Sequence, residues 1–144
     1  MIALDTSVIV AALLEWHEAH ASCFAAVNQA LGAAPAVIVP VPALIEAYSV
    51  MTRLPAPHRL SPADANSTLA SLRAQVSLAS MEDNAVWSSL ETWSTSGIAG
   101  GRTYDAHILA CARRARATAI LTLNASDFTA LAPSDIAVVT PSQR

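Results

Sequence analysis

Uninterrupted apolar runs alternate along the chain with stretches of helical periodicity. MIALD at the start is apolar up to Asp5, which suits a short buried parallel strand, and TSVIVAALLE then takes helical spacing with Thr6 or Ser7 as its cap. The alanine-rich stretch from His17 to Leu31 predicts a helix stopped by Gly32, and AVIVPV predicts a second strand buried on both faces. Pro42 suits the first turn of a third helix, PALIEAYSVMTRL, in which Leu44, Ile45, Tyr48 and Met51 recur at helical spacing. A loop at PAPH precedes SPAD, a helix start with Ser61 as cap, Pro62 at the first position and Asp64 reaching back.

VSLA near Val76 reads as a third strand, and NAVWSSLETW sets Val86, Trp87, Leu90 and Trp93 on one helical side. The glycine loop SGIAGGR leads into the helix TYDAHILACARRARA, which keeps Ile108, Leu109 and Ala112 inward. TAILTL is then a strand, ASDF a capped turn and IAVVT a last strand. Parallel strands need crossovers, and every crossover here is helical, so the fold class is α/β: three layers around a parallel sheet. Neither an internal repeat nor a linker interrupts the 144 residues, so one domain spanning 1–144 is expected.

Composition narrows this further. With 53% hydrophobic against 13% charged residues the chain is far from the disordered regime, and its excess apolar surface calls for a covering partner. No run approaches the roughly 18 apolar residues of a spanning helix. The only early charge is Asp5, with no basic segment ahead of the apolar one, so no secretory leader is expected and the location is cytoplasmic. Cys23 and Cys111 lie in helical stretches without metal-ligand spacing and read as buried free thiols. The net charge is −3, and all eight basic side chains are Arg. A nucleic-acid substrate would therefore be held by local Arg patches, not by a general positive field.

In open parallel sheets, ligands bind beyond the carboxyl ends of the strands. Four of the eleven acids fall there: Asp5 ends the first strand, Glu46 lies in the opening turns of the helix after the second, Asp105 opens the helix behind the glycine loop, and Asp127 follows TAILTL. Singly, each has a plain reading as a helix cap or dipole partner. Together they repel: a like pair about 4 Å apart costs roughly 4 kcal/mol at an intermediate dielectric. The chain has no Lys to compensate them, and Arg102 is the Arg nearest the motifs at that end. An oxygen-only set of this kind suits Mg²⁺ or Mn²⁺, and such an ion invites a phosphate substrate.

DTSVIVAALL, the Glu of ALIEAYSV, YDAHILACA and LTLNASDF resemble, in order and spacing, the four acidic motifs of PIN-domain nucleases, and more narrowly the VapC-type toxins of bacterial toxin–antitoxin pairs. The resemblance spans nearly the whole chain. It implies a central parallel sheet of four or five strands and a metal-dependent endoribonuclease acting on structured RNA, transfer or ribosomal. Asp5, Glu46, Asp105 and Asp127 would be the catalytic and metal-binding acids, for one or two ions. It further implies Thr6, Thr122 and Asn124 as groups that orient carboxylates or water, a VapB-like antitoxin lying across the site, and a homodimer. Ile108 stands where some relatives carry a further acid.

Among other basic groups, Arg53, seven residues beyond Glu46 on nearly the same helical face, and Arg102 are the better candidates for RNA phosphate contact. Arg113, Arg114 and Arg116 read as cations complementing a helix end. His107 and the other histidines have no partner at ligand spacing, and Trp16, Trp87 and Trp93 read as core or interface. Two rival functions remain. A catalytically silent binding module on the same fold is one. The other is an aspartyl-phosphate phosphatase or receiver domain, but Ser7 stands where such phosphatases carry a second Asp, and the Lys both groups use is absent.

Overall fold

The computed structural model describes residues 1–33, 36–131 and 133–142. Five strands, β1 (Ile2–Leu4), β2 (Val37–Pro40), β3 (Val76–Ala79), β4 (Ala119–Leu121) and β5 (Ala137–Val139), form one sheet in the order β3-β2-β1-β4-β5. All four pairings are parallel, with Leu4 opposite Leu121 at the centre. The chain moves outward in one direction from β1 to β3 and in the other from β4 to β5. The strand order therefore reverses between β1 and β4, and a crevice opens beyond their carboxyl ends.

Among the described residues seven helices make the connections. They are α1 (Thr6–Leu13), α2 (His20–Gly32), α3 (Val41–Arg53), α4 (Pro62–Ala70), α5 (Asp83–Thr95), α6 (Arg102–Arg114) and α7 (Ala125–Thr129). Neighbouring residues of a strand point to opposite faces, and Ala3 and Leu4 are both fully buried, as are Val39 and Ile120. Helices thus cover both faces of the central strands, the three-layer arrangement expected. The edge strands differ: Leu78 of β3 and Val139 of β5 are exposed. Among the described residues no helix is long and apolar enough to cross a membrane. Cys23 and Cys111 are buried and free, and burial pushes both thiols up.

Several local expectations are corrected. Asp5 itself caps α1, its carboxylate accepting from the Ser7 N–H, so neither Thr6 nor Ser7 is the cap. The second helix begins at His20 and not at His17, because residues 15–19 turn, with the Ala19 N–H donating to His17 Nδ1. In α3 the buried positions are Ala43, Ala47 and Met51, while Ile45 is 64% exposed and Tyr48 is also exposed. Small alanines carry the packed face there. No residue of α5 is fully buried, and Trp87 is 71% exposed. Trp16 lies outside the core too, stacked on His58 with ring centroids 4.0 Å apart. The turn at ASDF is a short helix whose leading residue, Asn124, makes no capping bond with its side chain.

Large buried side chains should carry the stability and the exposed aromatics should not. Urea unfolding is expected to show a loss of about 3–5 kcal/mol for Phe128→Ala, which empties a fully buried site, and a change within about 0.5 kcal/mol for Trp87→Ala.

Candidate active site

β1 ends where α1 begins, and Asp5 sits at that junction, 3% exposed. Its backbone extends the sheet by one bond, the N–H donating to the Leu121 carbonyl at 3.0 Å, while its carbonyl accepts from Val8 and Ile9 as the helix starts. The carboxylate is held from one side. Thr122 Oγ1 donates to Oδ2 at 2.8 Å, Ser7 Oγ at 2.6 Å and the Ser7 N–H at 3.4 Å. All three donors reach the same oxygen. No buried side-chain nitrogen or oxygen among the described residues lacks a hydrogen-bond partner, so Oδ1, which these donors leave free, retains solvent access.

Glu46 lies on α3, one helical turn beyond the packed Ala43, on an exposed face flanked by exposed Ile45. Thr6 Oγ1 donates to Glu46 Oε2 at 2.9 Å and so ties it to the first turn of α1. Asp105 is half-buried in the first turn of α6, and exposed Asp127 lies in the first turn of α7. Asp5, Asp105 and Asp127 thus each stand at a helix N-terminus, where the backbone dipole favours negative charge.

The structure brings these acids into one electrostatic neighbourhood. Burial, then the charges of Asp5, Asp127 and Glu46, push the Asp105 carboxyl up from 3.8 to about 6. Among the described residues both ion pairs, Arg113 with Asp135 and Arg114 with Glu82, lie elsewhere, so no basic side chain neutralises the four. Those two pairs fit the plain reading of the α6 terminus. Arg102, the first residue of α6, and Arg53, the last of α3, are exposed. Seven residues of helix put Arg53 about 10 Å along the axis from Glu46. Arg53 therefore lies outside the cluster.

Of the orienting groups, Thr6 and Thr122 contact carboxylates directly. Asn124 reaches the network through its backbone N–H, which donates to Thr122 Oγ1 at 2.9 Å, not through the amide the family pattern had pointed to. Ser7 is the residue that sequence reasoning missed: it was weighed only as a cap and as a position where a phosphatase would carry Asp. Its adjacency to Asp5 and its hydroxyl were the available signals.

Four carboxylate groups, two of them (Asp5 and Glu46) oriented by hydroxyls and, among the described residues, none paired with a side-chain cation, fit a hard divalent ion, since oxygen donors and surplus negative charge are what Mg²⁺ and Mn²⁺ take. Among the described residues, no three such groups are closed around a common point. Ile108 is buried in the core and adds no polar group to the set.

A PIN-domain family model matches residues 2–132. Ribonuclease VapC40 of Mycobacterium tuberculosis is 37% identical over 106 residues, which is 74% of each chain. The crystal structure of M. tuberculosis VapC20, a sarcin–ricin loop cleaving toxin, superposes with a TM-score of 0.69 at 18% identity, covering 91% of this chain and 95% of that one. VapBC2 from Rickettsia felis, solved bound to a DNA fragment from its promoter, gives 0.69 at 14% identity, covering 97% and 98%. These two share the fold.

Because Asp105 holds its proton to about pH 6 in the folded chain against 3.8 as its ordinary value, the fold binds more protons than the unfolded chain between those limits. In that window this group's contribution to stability falls as pH rises. In EDTA, the change in melting temperature from about pH 5 to about pH 8 should therefore be more negative for the wild type than for Asp105→Asn, which should also be the more stable protein at about pH 8. Parallel curves would remove the charge crowding from the account.

Proposed function

The chain belongs to the PIN-domain family, in its VapC group, and from that premise we propose that residues 1–144 act as a single-domain, divalent-metal-dependent endoribonuclease, the toxin of a toxin–antitoxin pair. The observation that carries the proposal is the set of four carboxylates at the carboxyl edge of the sheet, with Asp105 pushed up by burial and then by the other three, and no basic side chain paired with them among the described residues.

Asp5 and Asp105 are the firmest ligands in this reading. Glu46 and Asp127 complete the cluster for one or two Mg²⁺ or Mn²⁺ ions. Bound there, the ion supplies Lewis-acid activation of a phosphodiester and makes an attacking water more acidic. The protein's own part is positional. Thr122 and Ser7 fix Asp5, and Thr6 fixes Glu46, which keeps the acids in place against their repulsion. Arg102, at the start of the helix that carries Asp105, is placed to contact the RNA backbone near the cluster, and Arg53 to contact it farther along α3. The substrate class is structured RNA, transfer or ribosomal. A VapB-like antitoxin and a second toxin copy would cover exposed apolar groups such as Trp87, Leu78 and Ile45.

The purified protein should cleave RNA with Mg²⁺ or Mn²⁺, stop on addition of EDTA and recover on re-addition of metal. Asp5→Ala should remove cleavage while leaving the circular dichroism spectrum unchanged. Thr122→Val should cost about 10–100-fold. Cleavage that survives in Asp5→Ala, or in EDTA, would sink the assignment; a folded wild type that binds Mn²⁺ but cuts no RNA would favour the silent module.

A further inference from the structure

The parallel ladder between β1 and β4 carries the inference. Its register runs Leu4 opposite Leu121, and the Asp5 N–H donates to the Leu121 carbonyl. The next bond of a regular parallel ladder would run from the Leu123 N–H to the Asp5 carbonyl. That carbonyl is taken, since it accepts from Val8 and Ile9 at 3.2 and 3.1 Å as α1 begins. The Ser7 hydroxyl takes its place and accepts from Leu123 N–H at 3.0 Å.

Hydrogen counting then fixes what else Ser7 does. A hydroxyl has a single hydrogen. Ser7 Oγ accepts from Leu123, so its hydrogen is free for Asp5 Oδ2, 2.6 Å away. Thr122 Oγ1 likewise accepts from the Asn124 N–H and donates to the same Oδ2. The two hydroxyls lie 3.5 Å apart with both hydrogens spent on the carboxylate. Each hydroxyl joins a backbone N–H of the segment between β4 and α7 to one oxygen of Asp5. Asp127 lies on α7, the helix that segment leads into.

We propose that Ser7 is a positioning residue of the metal site: its hydroxyl turns Asp5 so that Oδ1 alone faces the ion, and locks the Asp127-bearing segment to the end of β1. The proposal rests on the metal-dependent reading above and adds to it a residue that touches neither ion nor RNA. Thr122 by itself does not do this: without the Ser7 hydroxyl, Oδ2 keeps only the Thr122 bond and the long 3.4 Å contact from the Ser7 N–H and loses its shortest donor, at 2.6 Å.

Titration of the RNA-free protein with Mn²⁺, followed by the loss of the free-ion paramagnetic resonance signal, tests it. Ser7→Ala should raise the Mn²⁺ Kd about 10–100-fold, and Ser7→Thr, which restores the hydroxyl at a half-buried position, should return it to within about threefold of the wild type. In cleavage assays, the Mg²⁺ concentration for half-maximal rate should rise by the same factor in Ser7→Ala. Wild-type Mn²⁺ affinity in Ser7→Ala, whether or not its melting temperature drops, would overturn the proposal and leave Ser7 as a strand-end bolt. Should Ser7→Ala not fold, Ser7→Cys, with its weak donor in nearly the same volume, gives the same comparison, and unchanged affinity there overturns it equally. A wild type that binds no Mn²⁺ overturns the metal reading itself, and the proposal with it.

Discussion

A carboxylate at the end of a strand covered on both faces must be satisfied from very few directions. Asp5 meets this demand with three donors on one oxygen and solvent access at the other, and much of the crevice follows from that arrangement. An uncompensated buried charge costs several kcal/mol. The compensation here is local and polar: two hydroxyls, one backbone N–H and the start of α1. None of it is a cation. The interior side of Asp5 is therefore saturated, whereas its outer side carries negative charge into a space already bordered by Asp105, Glu46 and Asp127.

That division follows from the sheet order. Because the strands diverge at β1 and β4, the segments leaving these two strands separate, and residues after each can meet across the gap. Ser7 and Thr122 are 115 residues apart in sequence and about one hydroxyl apart in space. The same geometry places three acids at helix N-termini, since each of these helices starts at the carboxyl edge of the sheet. Helix dipoles soften their mutual repulsion without neutralising it. What remains of it adds to burial, the larger cause, in pushing the Asp105 carboxyl up.

The sheet was legible in the sequence because its central strands are apolar on both faces, a pattern few other elements give, and the acids could be sorted once the strand ends were placed. Finer features depend on information the pattern does not hold. Asp5, Thr6 and Ser7 are all good cap residues, and only the backbone decides that the first of them caps α1. The large apolar residues of α3 suggested its packed face, yet Ala43 and Ala47 occupy it, because small side chains let a helix approach its neighbours closely and leave Ile45 and Tyr48 outside. The role of Ser7 depends on a donor 116 residues away and on an occupied carbonyl, neither of which has a local signature.

The four acids are unequally held, and the inequality bears on how a cation enters. Asp5 is buried and pinned, and Asp105 is half-buried on a long helix, whereas Glu46 and Asp127 are exposed. A set in which every member was rigid would have to hold like charges in contact throughout the metal-free state, at roughly 4 kcal/mol for each pair about 4 Å apart. Asp5 is pinned by hydroxyls and exposed Glu46 is tied to Thr6 Oγ1, so the exposed Asp127 is the member with most freedom to stand off and relieve the repulsion. Drawing that side chain inward costs about 0.5–1.5 kcal/mol of rotamer freedom. In the proposed metal-bound state a divalent charge would offset that cost. Asp5, the best-held acid, would then anchor the ion, and the Asp127 side chain would turn toward it.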